Sequence, residues 1–232
     1  MIYTIVRHCK SSILSDNKDR PANFSKYACH HNMRQTVDGN NVKFIYLLDG
    51  CKKEEHPILK DVPDNETVIE INVKSETKSF LELLKVVENL STTLDPNDII
   101  YAVEDDYMHR IGWNLILEEG INIPNIHYVS LYDHRDKYIL PMYKNLRSSI
   151  LYSKSIHWRT TPSTTNTYAA KVSTWIDDID MHKAYSLPNE AYSRDHEKFL
   201  KLWDKGRVLI TPIPAYSTHM EPVWMAPIVD WN

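Results

Sequence analysis

Glu104-Asp105-Asp106 follows the apolar run Ile99-Ile100-Tyr101-Ala102-Val103 and precedes Tyr107-Met108-His109-Arg110. Three consecutive acids at the end of a buried strand repel one another and lose hydration. A bound cation offsets both costs. Hard oxygen donors suit Mg²⁺ or Mn²⁺, which take one or two carboxylates and complete their shells with substrate phosphates. The competing reading is a polar loop after a strand, and the surrounding pattern decides between the two.

The elements that must position these acids alternate in type. Ile2 to Val6 reads as a buried strand, followed by a polar stretch from Arg7 to Arg20 and then Pro21. Phe24, Tyr27, Ala28 and His31 recur at helical spacing, with Asn23 as a candidate N-cap. Val42 to Leu48 is a second strand closing on Asp49-Gly50, and Val68 to Val73 is a third. Phe80, Leu83, Leu84, Val87 and Leu90 form an amphipathic helix before the fourth strand, Ile99 to Val103. Trp113, Ile116 and Leu117 predict a short helix stopped by Gly120. This alternation predicts an α/β fold with a central, mostly parallel twisted sheet flanked by helices. Ligands of such sheets bind beyond the carboxyl ends of the strands. Asp49 and the acidic triplet both lie at such ends, so they are expected to face one crevice.

The second half is less regular. Ile126 to Tyr132 and Tyr168 to Val172 read as strands, with the polar turn Asp133 to Tyr138 between them. A helix is expected from about Arg194 to Trp203 and a last strand over Val208 to Ile210. No repeat or linker divides the chain, so residues 1–232 are expected to form one domain.

Composition removes several classes. The formal net charge of -4 leaves no basic excess for gripping a polyanion, so nucleic acid is not an expected ligand. No run approaches the ~20 apolar residues of a membrane span. The first residues read as a strand, not a signal peptide. Cys9, Cys29 and Cys51 are widely spaced and odd in number, which predicts reduced thiols in a cytoplasmic protein. Only 5 glycines are present, and neither GxGxxG nor GxxxxGK[ST] occurs, which disfavours Rossmann dehydrogenases and P-loop enzymes.

Four stretches carry a resemblance: Val103-Glu104-Asp105-Asp106-Tyr107; Leu131-Tyr132-Asp133-His134 with Asp136-Lys137-Tyr138; His157-Trp158-Arg159-Thr160-Thr161-Pro162-Ser163; and Tyr216-Ser217-Thr218-His219. In this order they resemble the GT-A, family 2-like inverting glycosyltransferases, in particular small single-domain enzymes of large DNA viruses, such as the chlorella-virus capsid glycosyltransferases, and of bacteria. The resemblance implies the GT-A nucleotide-diphospho-sugar transferase fold, with a nucleotide-binding half over about 1–110 and an acceptor and catalytic half over about 111–232. Glu104-Asp105-Asp106 matches the family's DxD motif with Glu at its first position. It implies Asp106 and His219 as ligands of Mn²⁺ or Mg²⁺, and Glu104 near the ribose or a metal-bound water. Asp49 would contact the nucleotide base, or serve only as the turn residue that Asp-Gly signals. Arg7 would flank the base or the diphosphate.

Asp195 is the implied catalytic base, with Glu197 as its alternate; the same Asp would also serve as an N-cap. Asp133 and His134 would line the donor-sugar pocket or brace it. Trp158 and Arg159 would form an acceptor wall, because sugars stack on aromatic faces. The His30-His31 pair and Trp231 read as structural. The implied partners are a nucleotide-sugar donor, UDP-linked first, and a glycan or glycoprotein acceptor, such as a viral capsid glycan. Two other functions compete: a sugar-nucleotidyltransferase, and an inactive glycan- or nucleotide-binding module of the same fold. Sugar-nucleotidyltransferases usually carry a Gly-rich loop after the first strand, where this chain has Arg7-His8-Cys9-Lys10-Ser11-Ser12.

Overall fold

A computed structural model describes residues 1–56, 59 and 66–231. Among the described residues its centre is a nine-stranded mixed sheet. The first four strands are β1 (Ile2–Cys9), β2 (Val42–Asp49), β3 (Thr67–Ile71) and β4 (Ile99–Glu104). They lie side by side in the order β3-β2-β1-β4, all parallel. Parallel pairing is what helical crossovers require. Here α2 (Lys26–Gln35) joins β1 to β2, and α3 (Glu76–Ser91) joins β3 to β4; a single turn, α1 (Ile13–Asp16), precedes α2.

Each inner strand is buried on both faces. Ile2, Val6, Tyr46, Leu48, Tyr101 and Val103 pack into one core layer. Ile5, Ile45, Leu47, Ile100 and Ala102 pack into the other. That two-sided burial explains the continuous apolar runs. Helix α3 buries Phe80, Leu83, Leu84 and Val87 and is capped by Ser75, whose Oγ accepts from the Lys78 amide.

Beyond β4 come β5 (Tyr107–His109), α4 (Trp113–Ile121), β6 (Tyr128–Val129), α5 (Asp136–Ile139), β7 (Ile150–Tyr152), β8 (His157–Thr160) and β9 (Tyr168–Lys171). Helices α6 (Val172–Asp177), α7 (Ile179–Ala184) and α8 (Asp195–Asp204) precede β10 (Leu209–Ile213) and β11 (Ser217–His219). The sheet continues β4-β9-β6-β10-β8-β7 with mixed directions. β11 and β5 form a separate antiparallel pair.

Several expected boundaries move for identifiable reasons. β1 runs on through Arg7, His8 and Cys9, because their register against Leu47, Leu48 and Asp49 continues the parallel ladder. Helix α2 starts at Lys26, capped by the Ser25 hydroxyl accepting from Ala28 N at 3.0 Å, so Asn23 is not the cap. Its buried face is Cys29, His30 and Met33, and His31 is exposed. The strand expected over Ile126 to Tyr132 shrinks to Tyr128–Val129. Val208 lies before β10, which extends past Ile210 and Pro212 to Ile213.

Gly120 does not stop α4 but lies inside it, facing Trp158; a Cβ there would sit 2.6 Å from the indole. No helix among the described residues is long and apolar enough to cross a membrane.

The Gly120 contact yields a prediction. Helix propensity alone favours Gly→Ala by about 1 kcal/mol. Overpacking a rigid, fully buried indole costs about 1–3 kcal/mol. Gly120→Ala is therefore expected to lower Tm in thermal unfolding; a Tm at or above the original would contradict this packing.

Candidate active-site crevice

Each acid of the triplet is held by different partners. Arg7 and Glu104 are cross-strand neighbours in the β1–β4 register, and the guanidinium reaches Glu104 at 2.9 Å. The same guanidinium reaches Glu76, the first residue of α3, at 3.1 Å. Asp105 turns under β1. Its Oδ2 accepts from the Cys9 amide at 3.0 Å and lies 2.9 Å from His8 Nδ1 and 3.2 Å from Lys26 Nζ. Asp106 Oδ2 lies 2.8 Å from Arg20, 2.9 Å from His219 Nε2 and 3.7 Å from Lys18.

The β5–β11 ladder sets the last of these contacts. It pairs His219 with Tyr107, and the Met220 amide donates to the Asp106 carbonyl at 2.9 Å. Residues 113 positions apart are thereby fixed side by side.

Electrostatics divides the three carboxyls. Burial pushes Glu104 up to about 7, and Arg7 offsets only part of that. Burial also opposes ionisation of Asp106, but His219, Lys18 and Arg20 overcome it and hold the group well below the usual carboxylate range. Asp105 is held low against its burial by His8 and Lys26. Two carboxyls held below the usual range thus sit beside a less acidic one.

The donors at Asp106 suit a divalent ion. One carboxylate oxygen and one imidazole nitrogen converge to 2.9 Å, a separation that two ligands of a single ion adopt, and both donor types suit Mn²⁺. Arg20 and Lys18 compete for the same oxygen. Both cations, with Lys10 and Lys26, also line an adjoining cavity of about 390 Å³ shared with His8 and Tyr27. Arg20 is set in place by stacking 4.2 Å from the Phe24 ring and donating to the Met220 carbonyl at 2.7 Å. A cavity so lined favours an anionic ligand.

A second cavity of about 250 Å³ contains His134, Lys137, Tyr143, Asp195 and His196. Asp195 is the first residue of α8, and Arg194, not Asp195, occupies the N-cap position. Lys198, one turn on and fully buried, holds Asp195 at 2.9 Å and Asn166 at 2.7 Å. Its ammonium lies 4.8 Å over Phe80 and 5.1 Å over Tyr168. Burial pushes the Asp195 carboxyl up, with Lys198 pulling partly the other way. Glu76 joins the halves, accepting from Arg7, from Asn166 at 3.0 Å and from the Ser193 amide at 2.7 Å.

The other expected residues fall in different places. Asp49 Oδ1 accepts from the Val73 and Lys74 amides at 2.8 and 3.0 Å, which ties the end of β2 to the segment after β3. Arg7 is buried between Glu76 and Glu104 and braces the crevice floor. Glu104 points to Arg7 and Thr167. Asp133 is buried and held by Arg159 at 2.5 Å and by Tyr138 at 2.6 Å. His134 pairs with Asp136 at 3.0 Å.

The acceptor wall expected of Trp158 and Arg159 is not there. Trp158 is fully buried against Gly120, and Arg159 is spent on Asp133. Sequence reasoning missed Lys18, Arg20 and Lys26, which lie in or beside an aperiodic polar stretch. It also missed Glu76, Asn166 and Lys198. The signal available for Lys198 was its i+3 spacing from Asp195.

Solved structures share this architecture. GalNAc-T7 with UDP, GalNAc and Mn²⁺ superposes at a TM-score of 0.60 and 10% identity, covering 97% of this chain. S. aureus TarS 1–349 superposes at 0.54 and 12% identity, covering 93%. The chain spans 45% and 59% of those two chains. No family profile and no curated protein sequence matches. The fold is that of the GT-A glycosyltransferases.

The Asp133–Arg159 pair gives a stability test. Asp133→Ala leaves a buried guanidinium unpaired and is expected to cost about 3–5 kcal/mol in denaturant unfolding. Adding Arg159→Met should recover most of that loss. A single variant as stable as the original chain would contradict a buried pair.

Proposed function

We propose that the chain is a metal-dependent inverting glycosyltransferase. It would move a sugar from a nucleoside-diphosphate donor, UDP first, to a hydroxyl of a glycan or glycoprotein. The observation that carries this reading is the convergence of Asp106 and His219, at 2.9 Å, beside a cavity lined by Lys10, Lys18, Arg20 and Lys26. Asp106 and His219 would hold Mn²⁺ or Mg²⁺. A bound ion there supplies charge neutralisation for the departing diphosphate.

The chain's own residues perform the rest. Lys18, Arg20 and Lys26 bind the diphosphate and stabilise charge as it leaves. Asp195 accepts the acceptor hydroxyl's proton while that oxygen bonds to the anomeric carbon. The bond from that carbon to the diphosphate oxygen breaks in the same displacement, so configuration inverts. A carboxyl raised by burial is a better base near neutral pH than an exposed one. Lys198, anchored by Asn166 and two aromatic rings, keeps it aimed. A viral capsid glycan as acceptor rests on the sequence resemblance alone.

Asp195→Asn tests the assignment. Transfer is expected to fall by a factor of ~10² or more, with UDP affinity kept. A base works deprotonated, so activity of the unmodified chain should drop as pH falls through the raised Asp195 pKa. The residual activity of the variant should lack that acid limb. Near-normal transfer, or an unchanged acid limb, would remove Asp195 from the base role and turn attention to Glu197.

A further inference from the structure

Behind the cation-lined cavity, three histidines converge from segments that no motif links. His8 lies on β1, His30 on α2, and His56 after the 3₁₀ turn Lys53–Glu55. One ring nitrogen of each lies within 4.8 Å of the other two. The ring centroids are 4.5 Å apart for His8–His56, 4.8 Å for His30–His56 and 5.2 Å for His8–His30. His30 Nδ1 and His56 Nε2 approach to 2.8 Å. All three side chains are buried, at 3%, 1% and 1% exposure.

Packing alone is a poor reason for this cluster. His30 Nδ1 and His56 Nε2, which face each other, are the nitrogens a shared ion would take, while the other ring nitrogens, His30 Nε2 and His56 Nδ1, are buried without a hydrogen-bond partner among the described residues. Buried polar atoms normally find one, and a phenylalanine or leucine would fill the space without that cost. His8 Nδ1 also lacks a hydrogen bond of good geometry among the described residues, but it lies 2.9 Å from the Asp105 Oδ2 carboxylate oxygen. A carboxylate on one ring nitrogen fixes the tautomer and presents the other to a metal.

We propose that His8, His30 and His56 form a site for a divalent transition-metal ion, Zn²⁺ first. Zinc binds imidazole nitrogens at about 2.0–2.1 Å in tetrahedral geometry, and three histidines leave one open position. Ligands of one such ion lie about 3.3 Å apart by that geometry, so His30 and His56 need to part by about half an ångström. An all-imidazole set prefers Zn²⁺, Co²⁺ or Ni²⁺ over Mg²⁺, which separates this site from Asp106 and His219. The bound ion would pin β1, α2 and the segment after β2 to one another. Those segments carry His8 and Lys26, the partners of Asp105, so the ion would stiffen one wall of the crevice.

The test uses the full chain, stripped with a chelator and titrated with Zn²⁺ against a chromophoric indicator, then with Co²⁺. The expected result is one tightly bound Zn²⁺ per chain, still present in His219→Ala. The Co²⁺ form should show an imidazole-ligated visible spectrum without thiolate charge transfer. His56→Gln and His30→Gln should each weaken Zn²⁺ by at least about 100-fold, the upper end of what losing an outer-shell partner costs. Equal affinity in those variants, or loss of the ion in His219→Ala, would overturn the proposal. If both variants fail to fold, the Co²⁺ spectrum of the unmodified chain decides, and the lack of an imidazole-ligated spectrum overturns it. Failure here leaves the transferase reading standing, because that reading is tested by nucleotide binding and transfer.

Discussion

An uncompensated buried charge costs several kcal/mol, and the end of β4 carries three acids in succession. The chain compensates them with cations from separate segments: Arg7 from β1, Lys18 and Arg20 from the connection after β1, and Lys26 from the start of α2. His219 arrives from the far end of the sequence. Without these partners the acids could not be ionised and buried together. With them, Asp105 and Asp106 are held as carboxylates within a positively lined wall. A wall of this charge suits an anionic ligand without a glycine-rich loop.

The sheet topology makes this compensation possible. Parallel register places Arg7 beside Glu104, and the small β5–β11 ladder returns His219 to Asp106. Glu76 then couples the crevice floor to the second half, where Asn166 and Lys198 orient Asp195. The two cavities are therefore linked through hydrogen bonds that pass through one half-buried glutamate. Lys198, sealed among Phe80, Tyr168 and Phe199, is the fixed cation of that link.

Much of this was legible from local pattern. The apolar runs of β1, β2 and β4 and the Phe80-Leu83-Leu84-Val87 stripe of α3 report two-sided and one-sided burial directly. The acids at the strand ends followed from the same pattern. Partner identity did not, because Lys18 and Arg20 lie in an aperiodic stretch whose contacts are purely tertiary. Gly120 looked like a helix stop because glycine commonly is one; here the missing Cβ makes room for Trp158. Trp158 looked like a sugar platform because aromatic type does not reveal burial. Ser25 displaced Asn23 as a cap because both residue types serve, and only the Ala28 amide chooses between them.

The most direct test of a nucleotide-diphosphate site at this crevice is calorimetric titration of UDP, GDP and dTDP into the chain, with and without Mn²⁺. The account predicts tight binding of one nucleotide, UDP first, strengthened by Mn²⁺. Absence of binding by any of the three under either condition would contradict it.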